Sequence, residues 1–78
     1  MQLIGALTFA NARASWAVFA PNAAGAASIN VSGVTEIDSA GLALISALKR
    51  KAGAQCRVVV VPPKFATLAA AYGVDALF

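Results

Sequence analysis

The sequence predicts a small α/β layer structure of order βαβαβα. Three observations lead there. Residues 3–9 and 57–61 are short β-prone runs and residues 27–32 alternate apolar with polar; the segments between and after them place apolar residues at helical spacing; and 78 residues leave room for one domain.

Residues 3–9 read as a strand, since Thr8 and Phe9 carry β propensity. The run to Ala10-Asn11-Ala12 superficially resembles an export signal, but only Met1 and Gln2 stand where a positive region would be needed. Asn11 can cap a short helix in which Ala12, Trp16 and Phe19 share a face, and Pro21 with Asn22 stops it. Trp16 is most simply core, although an exposed Trp would make a good interface anchor. Residues 27–32 put Ala27, Ile29 and Val31 on one side and Ser28, Asn30 and Ser32 on the other, a strand covered on one face and ended by Gly33. After a loop over 34–38, a helix spans about 39–52, with Lys49, Arg50 and Lys51 in its last turn and Gly53 closing it. The valines of 57–61 make a buried strand, bounded by Pro62-Pro63. Pro63 opens a last helix in which Phe65, Leu68, Ala69 and Tyr72 form one stripe, Gly73 is a left-handed C-cap and Val74 packs back. Right-handed crossovers gather the strands into one mostly parallel sheet. A three-strand sheet leaves an edge or a helix face uncovered, which docking to another protein would satisfy.

Composition narrows the function. With no histidine and a single cysteine, Ser-His and Cys-His catalysis, His/Cys zinc sites and an internal disulfide are excluded, and no cofactor or metal is called for. Hydrophobic residues make up 60% of the chain, above the roughly 45–50% usual for soluble domains. The longest uncharged run, residues 14–35, is nevertheless broken by Pro21, Asn22, Gly25 and Asn30, so a soluble protein is expected, and the unpaired Cys56, a small filler, fits a reducing cytoplasm. The net charge of +3 does not make a nucleic-acid reader: Lys49, Arg50 and Lys51 complement a helix end, Arg13, Arg57 and Lys64 are scattered, and no aromatic residues interleave with them. The glycines form no phosphate loop. Ser46-Ala47-Leu48-Lys49 matches a Ser-x-x-Lys spacing, but without companion motifs or a second domain to form a cleft it is an accident of helical spacing.

The middle helix carries the most unusual surface. Projected at about 100° per residue, Gly41, Leu44, Ile45, Leu48 and Ala52 fall on one side, opposite Ser39, Ala43, Ser46 and Arg50, with Leu42 and Ala47 flanking the second group. An outer face would ordinarily be charged; the N-terminal half of this one is small and apolar, as if built for contact. At its start Asp38 and Ser39 meet free backbone N–H groups, where either side chain can cap.

Val34-Thr35-Glu36-Ile37-Asp38-Ser39-Ala40-Gly41-Leu42-Ala43-Leu44-Ile45 resembles the signature of STAS domains, the anti-sigma-factor-antagonist-like fold. Within that family it is most similar to the subunits of ABC transporters that move phospholipids between Gram-negative membranes. Gly5-Ala6-Leu7-Thr8-Phe9 is similar to the family's second strand and residues 65–74 to its final helix, so the resemblance covers nearly the whole chain. It implies a mixed sheet with helices packed mainly on one side. Two departures carry consequences. Phosphorylated antagonists usually have two serines between the aspartate and the glycine, the second accepting phosphate; Ala40 stands there, which favours the transporter form. The family usually begins with another strand, which residues 1–3 are too short to supply; a late-assigned start, a dispensable strand and a strand added by a partner chain all fit.

The resemblance thus implies a noncatalytic cytoplasmic subunit that binds and regulates or stabilises a transporter ATPase, peripheral to the inner membrane through that complex. Its expected contact surface is Asp38 and Ser39 as polar contacts, Leu42 and Ala43 as apolar centre, and Ser46 and Arg50 as rim. The alternative is an anti-sigma-factor antagonist switched by phosphorylation at Ser39. An open sheet edge would further allow self-association. The contact reading fails if Leu42 and its companions are sealed inside the monomer's own interior.

Overall fold

The computed structural model describes residues 1–73. Along them run β1 (Gln2–Leu7), α1 (Ala12–Phe19), a 3₁₀ turn (Ala20–Asn22), β2 (Ser28–Ile37), α2 (Ser39–Ala52), β3 (Arg57–Val59) and α3 (Pro63–Ala71). The expected element order is present. The sheet runs β1-β2-β3, and both pairings are parallel. Two successive right-handed crossovers that step across the sheet in one direction leave both connecting helices on the same face, and α1 and α2 do pack against each other. Between sheet and helices lies one apolar cluster: Leu3 and Leu7 of β1, Ile29, Val31 and Val34 of β2, Leu44, Ile45 and Leu48 of α2, and Phe65 of α3.

Gly33 does not end β2, which continues through the expected loop to Ile37. The reason lies in the approach of β1. Gln2 faces Asn30 but Ile4 faces Gly33, and Gly5 faces Val34 but Ala6 faces Glu36, so β2 gains a residue on β1 twice. A Cβ at Gly33 would lie 2.8 Å from Ile4 Cγ2 and 3.0 Å from the Leu3 carbonyl oxygen; glycine permits the close passage. The first bulge breaks the alternation, so the buried positions are Ile29, Val31 and then Val34. The Asn30 side-chain oxygen accepts the Ser32 N–H at 2.9 Å, satisfying a donor beside the irregularity.

Four other expectations need correction. β1 stops at Leu7, and Phe9 projects into solvent. β3 covers Arg57–Val59 and not 57–61, because Val60 adopts a φ of 54°, a region a β-branched residue rarely enters and from which no strand continues. Asn11 makes no side-chain cap; its amide nitrogen donates to Thr8 Oγ1 at 3.4 Å. Trp16 is not core: no residue of α1 is buried, and the Trp16 ring lies under Lys51 Nζ at 6.0 Å. The predicted helix ends hold, with Gly53 and Gly73 both at positive φ. Val74 lies outside the described residues. Among the described residues no helix is long and apolar enough to cross a membrane.

Candidate functional site

The end of β2 and the start of α2 are joined by Asp38. Its backbone is extended while Ser39 is already helical, so its carboxylate faces the free N–H groups of the first turn. Oδ1 accepts the Gly41 N–H at 3.0 Å, and Oδ2 accepts the Phe9 N–H at 2.9 Å. Asp38 therefore ties the turn after β1 to the first turn of α2. Both oxygens are engaged within the chain, so it sets the helix start as expected but offers little to a partner.

The Phe9 N–H, and after it the Gly41 N–H, hold the Asp38 carboxyl below its ordinary value of 3.8. The folded state thus binds fewer protons near pH 4 than the unfolded chain. This contribution to stability is full above the unfolded value and is lost as pH falls through the lower folded one. Asp38→Asn removes the titration, so the stability gap between parent and variant is expected to close below that point. Urea midpoints measured from pH 6 down to pH 2.5 check it; a gap that stays constant would show that the carboxylate's charge contributes nothing.

Gly41 brings α2 onto the sheet. A Cβ there would stand on the Leu7 carbonyl oxygen and 2.7 Å from Ile37 Cγ1, so the first turn of α2 rests directly on the end of β1. That contact fixes the rotation of the helix and the direction of its outer face.

The outer face differs from the projection in two places. Leu42 is only 3% exposed and Ser46 only 8%, so neither is the open contact residue expected. The buried arc of α2 is wider than a single sheet-facing stripe and continues round the flank that holds Leu42 and Ser46. Ser46 Oγ donates to the Leu42 carbonyl at 3.0 Å, which satisfies the buried hydroxyl and leaves its proton unavailable to Lys49. On the same flank, Ser39, Leu42, Ala43, Ser46 and Tyr72 line a half-open, mostly apolar cleft of about 250 Å³. Leu42 is its floor, exposed Ser39 and Ala43 form one lip, and Tyr72, 57% exposed just beyond α3, forms the other. Ser46 also borders the next groove along α2, shared with Lys49 and Arg50.

The structure thus gathers Ser39, Leu42, Ala43 and Ser46 in one cleft, puts exposed Arg50 beside it and leaves Asp38 behind it as a clamp. Sequence reasoning missed Tyr72 as a site residue. The stripe Phe65, Leu68, Ala69, Tyr72 assigns it to the core, yet its place next to the C-cap and its hydroxyl are the features of a residue with one wet end. Among the described residues no three potential metal ligands cluster. With a shallow apolar floor, no histidine and an engaged Ser46 hydroxyl, the cleft suits contact with a side chain.

A parallel sheet joined through an Asp-capped, glycine-docked helix, with a cleft along that helix, is an arrangement compatible with a STAS-type domain. A family model described as "Mlab, STAS domain" matches residues 1–78, and the chain belongs to that family. No curated protein and no solved structure matches it.

Proposed function

We propose that this chain is a noncatalytic accessory subunit that binds the ATPase of a phospholipid-moving ABC transporter and regulates or stabilises it. Family membership supports a role in protein contact. The observation that carries the proposal is the cleft with Leu42 as floor and Tyr72 as far lip. An apolar anchor from the partner would enter it, Ser39 and Arg50 would contribute rim contacts, and Asp38 would act by holding the lip in place. Nucleotide would be handled by the partner, and the subunit would sit at the cytoplasmic side of the inner membrane through the complex. The uncharged outer edge of β1, with Ile4 exposed on it, is the place where self-association would occur.

The test uses binding of the full chain to any ABC-type ATPase found in the neighbouring reading frames. Leu42→Asp is unsuitable, because a charge on a buried leucine would unfold the domain. Ala43→Asp and Ser39→Glu alter exposed positions and are expected to abolish capture with the circular dichroism unchanged. Tyr72→Ala should weaken binding about thirty-fold, the scale of a truncated hot-spot residue. Parental affinity in all three variants would reject the cleft. Exposed Ser39 also keeps the antagonist reading physically open; incorporation of phosphate at Ser39 by a kinase encoded nearby, with release of that kinase, would replace the transporter reading.

A further inference from the structure

The opposite end of the domain has a second groove, of about 410 Å³, lined by residues 54–59 and Lys49. It follows the outer edge of β3, the last strand of the sheet among the described residues. Arg57 donates its N–H to the Ala27 carbonyl at 3.2 Å and so faces β2; strand alternation then turns the N–H and C=O of Val58 toward the open edge. Lys49 borders the groove and exposed Arg57 rises from the strand itself, while Arg50 and Lys51 follow in the same helical turn.

Among the described residues these cations are far from any balancing charge. Glu36 and Asp38 are the acids among the described residues, and both lie at the other end of β2. Arg57 pairs with Ser28, so at about 3.3 Å per residue Glu36 is on the order of 25 Å away. A screening length of ~8–10 Å removes its influence.

We propose that the β3 edge receives an extended acidic segment of another protein, added as a fourth strand with its carboxylates toward Lys49 and Arg57. An open strand edge offers alternating N–H and C=O groups, which a peptide backbone matches and a phosphodiester backbone does not. Among the described residues no aromatic lines the groove on which a base could stack. A second copy of this chain fits poorly, because pairing β3 with its own image brings Arg57 and Lys49 of both copies together. The site is separate from the Leu42 cleft and stands whether or not that cleft binds an ATPase.

The test uses the full chain with a fluorescein-labelled octapeptide of alternating valine and glutamate, a lysine-for-glutamate control peptide and a short thymidine oligonucleotide. The acidic peptide alone is expected to bind. Lys49→Glu combined with Arg57→Glu should weaken it at least about tenfold, as should raising salt from about 50 to about 300 mM, given the small, screened value of each exposed pair. On binding, the Val58 amide should gain protection from hydrogen exchange, and Ala43→Asp should leave the affinity unchanged. Equal binding of the lysine peptide, or of the charge-reversed variant, would overturn the proposal. So would tighter binding of the oligonucleotide, an unprotected Val58 amide in the complex, or a chain dimer in which that amide is already covered.

Discussion

Gly41→Ala is expected to destabilise the domain by at least about 2 kcal/mol. Two effects oppose each other. Replacing glycine by alanine inside a helix ordinarily gains about 1 kcal/mol. Against it, the added Cβ would overlap the Leu7 carbonyl oxygen and press on Ile37 Cγ1 at 2.7 Å. Overpacking costs about 1–3 kcal/mol where side chains can yield, and here the first obstacle is backbone. Relief requires the first turn of α2 to lift from β1, which separates Leu44, Ile45 and Leu48 from Leu3 and Leu7 and stretches the Asp38 link to Gly41. A chain of this length has roughly 4–12 kcal/mol in total, so the loss is a large fraction of it. Urea unfolding with an unchanged slope would measure it; a variant as stable as the parent would show that α2 does not rest on β1 in this way.

The start of the same helix shows why part of the site was legible in the sequence. Asp38 and Ser39 could be placed because capping is a local demand that specifies residue types at fixed spacing, whereas the seating of Gly41 on Leu7 depends on β1 and was not read. Helix ends marked by Gly53 and Gly73 were legible for the same reason. The core stripe of α2, from Gly41 through Leu44, Ile45 and Leu48, followed from its period.

What could not be read depended on a second element. Gly33 looks like a strand terminator until β1 passes beside it, when the missing side chain becomes the condition for the strand to continue. The valines at 60 and 61 differ little in type from those at 58 and 59, yet the backbone of Val60 leaves the strand. Trp16 has the composition of a core residue, but eight residues of α1 beside a narrow sheet cannot cover it. Leu42 failed in the opposite direction. A helical projection assigns one inward direction, whereas α2 is buried through a wider arc that includes the cleft flank. Contact surfaces are therefore harder to predict than cores in a domain this small, where one neighbouring helix changes which flank is outside.

Phe65→Ala is expected to cost about 3–5 kcal/mol, the range for removing a buried phenylalanine side chain. Phe65 is 2% exposed, and with Ala69 it is one of two buried residues of α3; the remainder of that helix is exposed or half-buried. Ala69 alone has too little apolar area to hold the helix down. The loss should therefore appear first as detachment of α3, with faster hydrogen exchange at its amides than at those of β2. Tyr72 follows α3 and would leave the cleft with it, so affinity for the proposed ATPase partner should fall although no residue of α2 has changed. Phe65→Leu keeps most of the apolar volume and should restore much of both stability and binding. If Phe65→Ala lost stability but kept full affinity, the Tyr72 lip would play no part in the contact, and the partner surface would reduce to the exposed residues of α2.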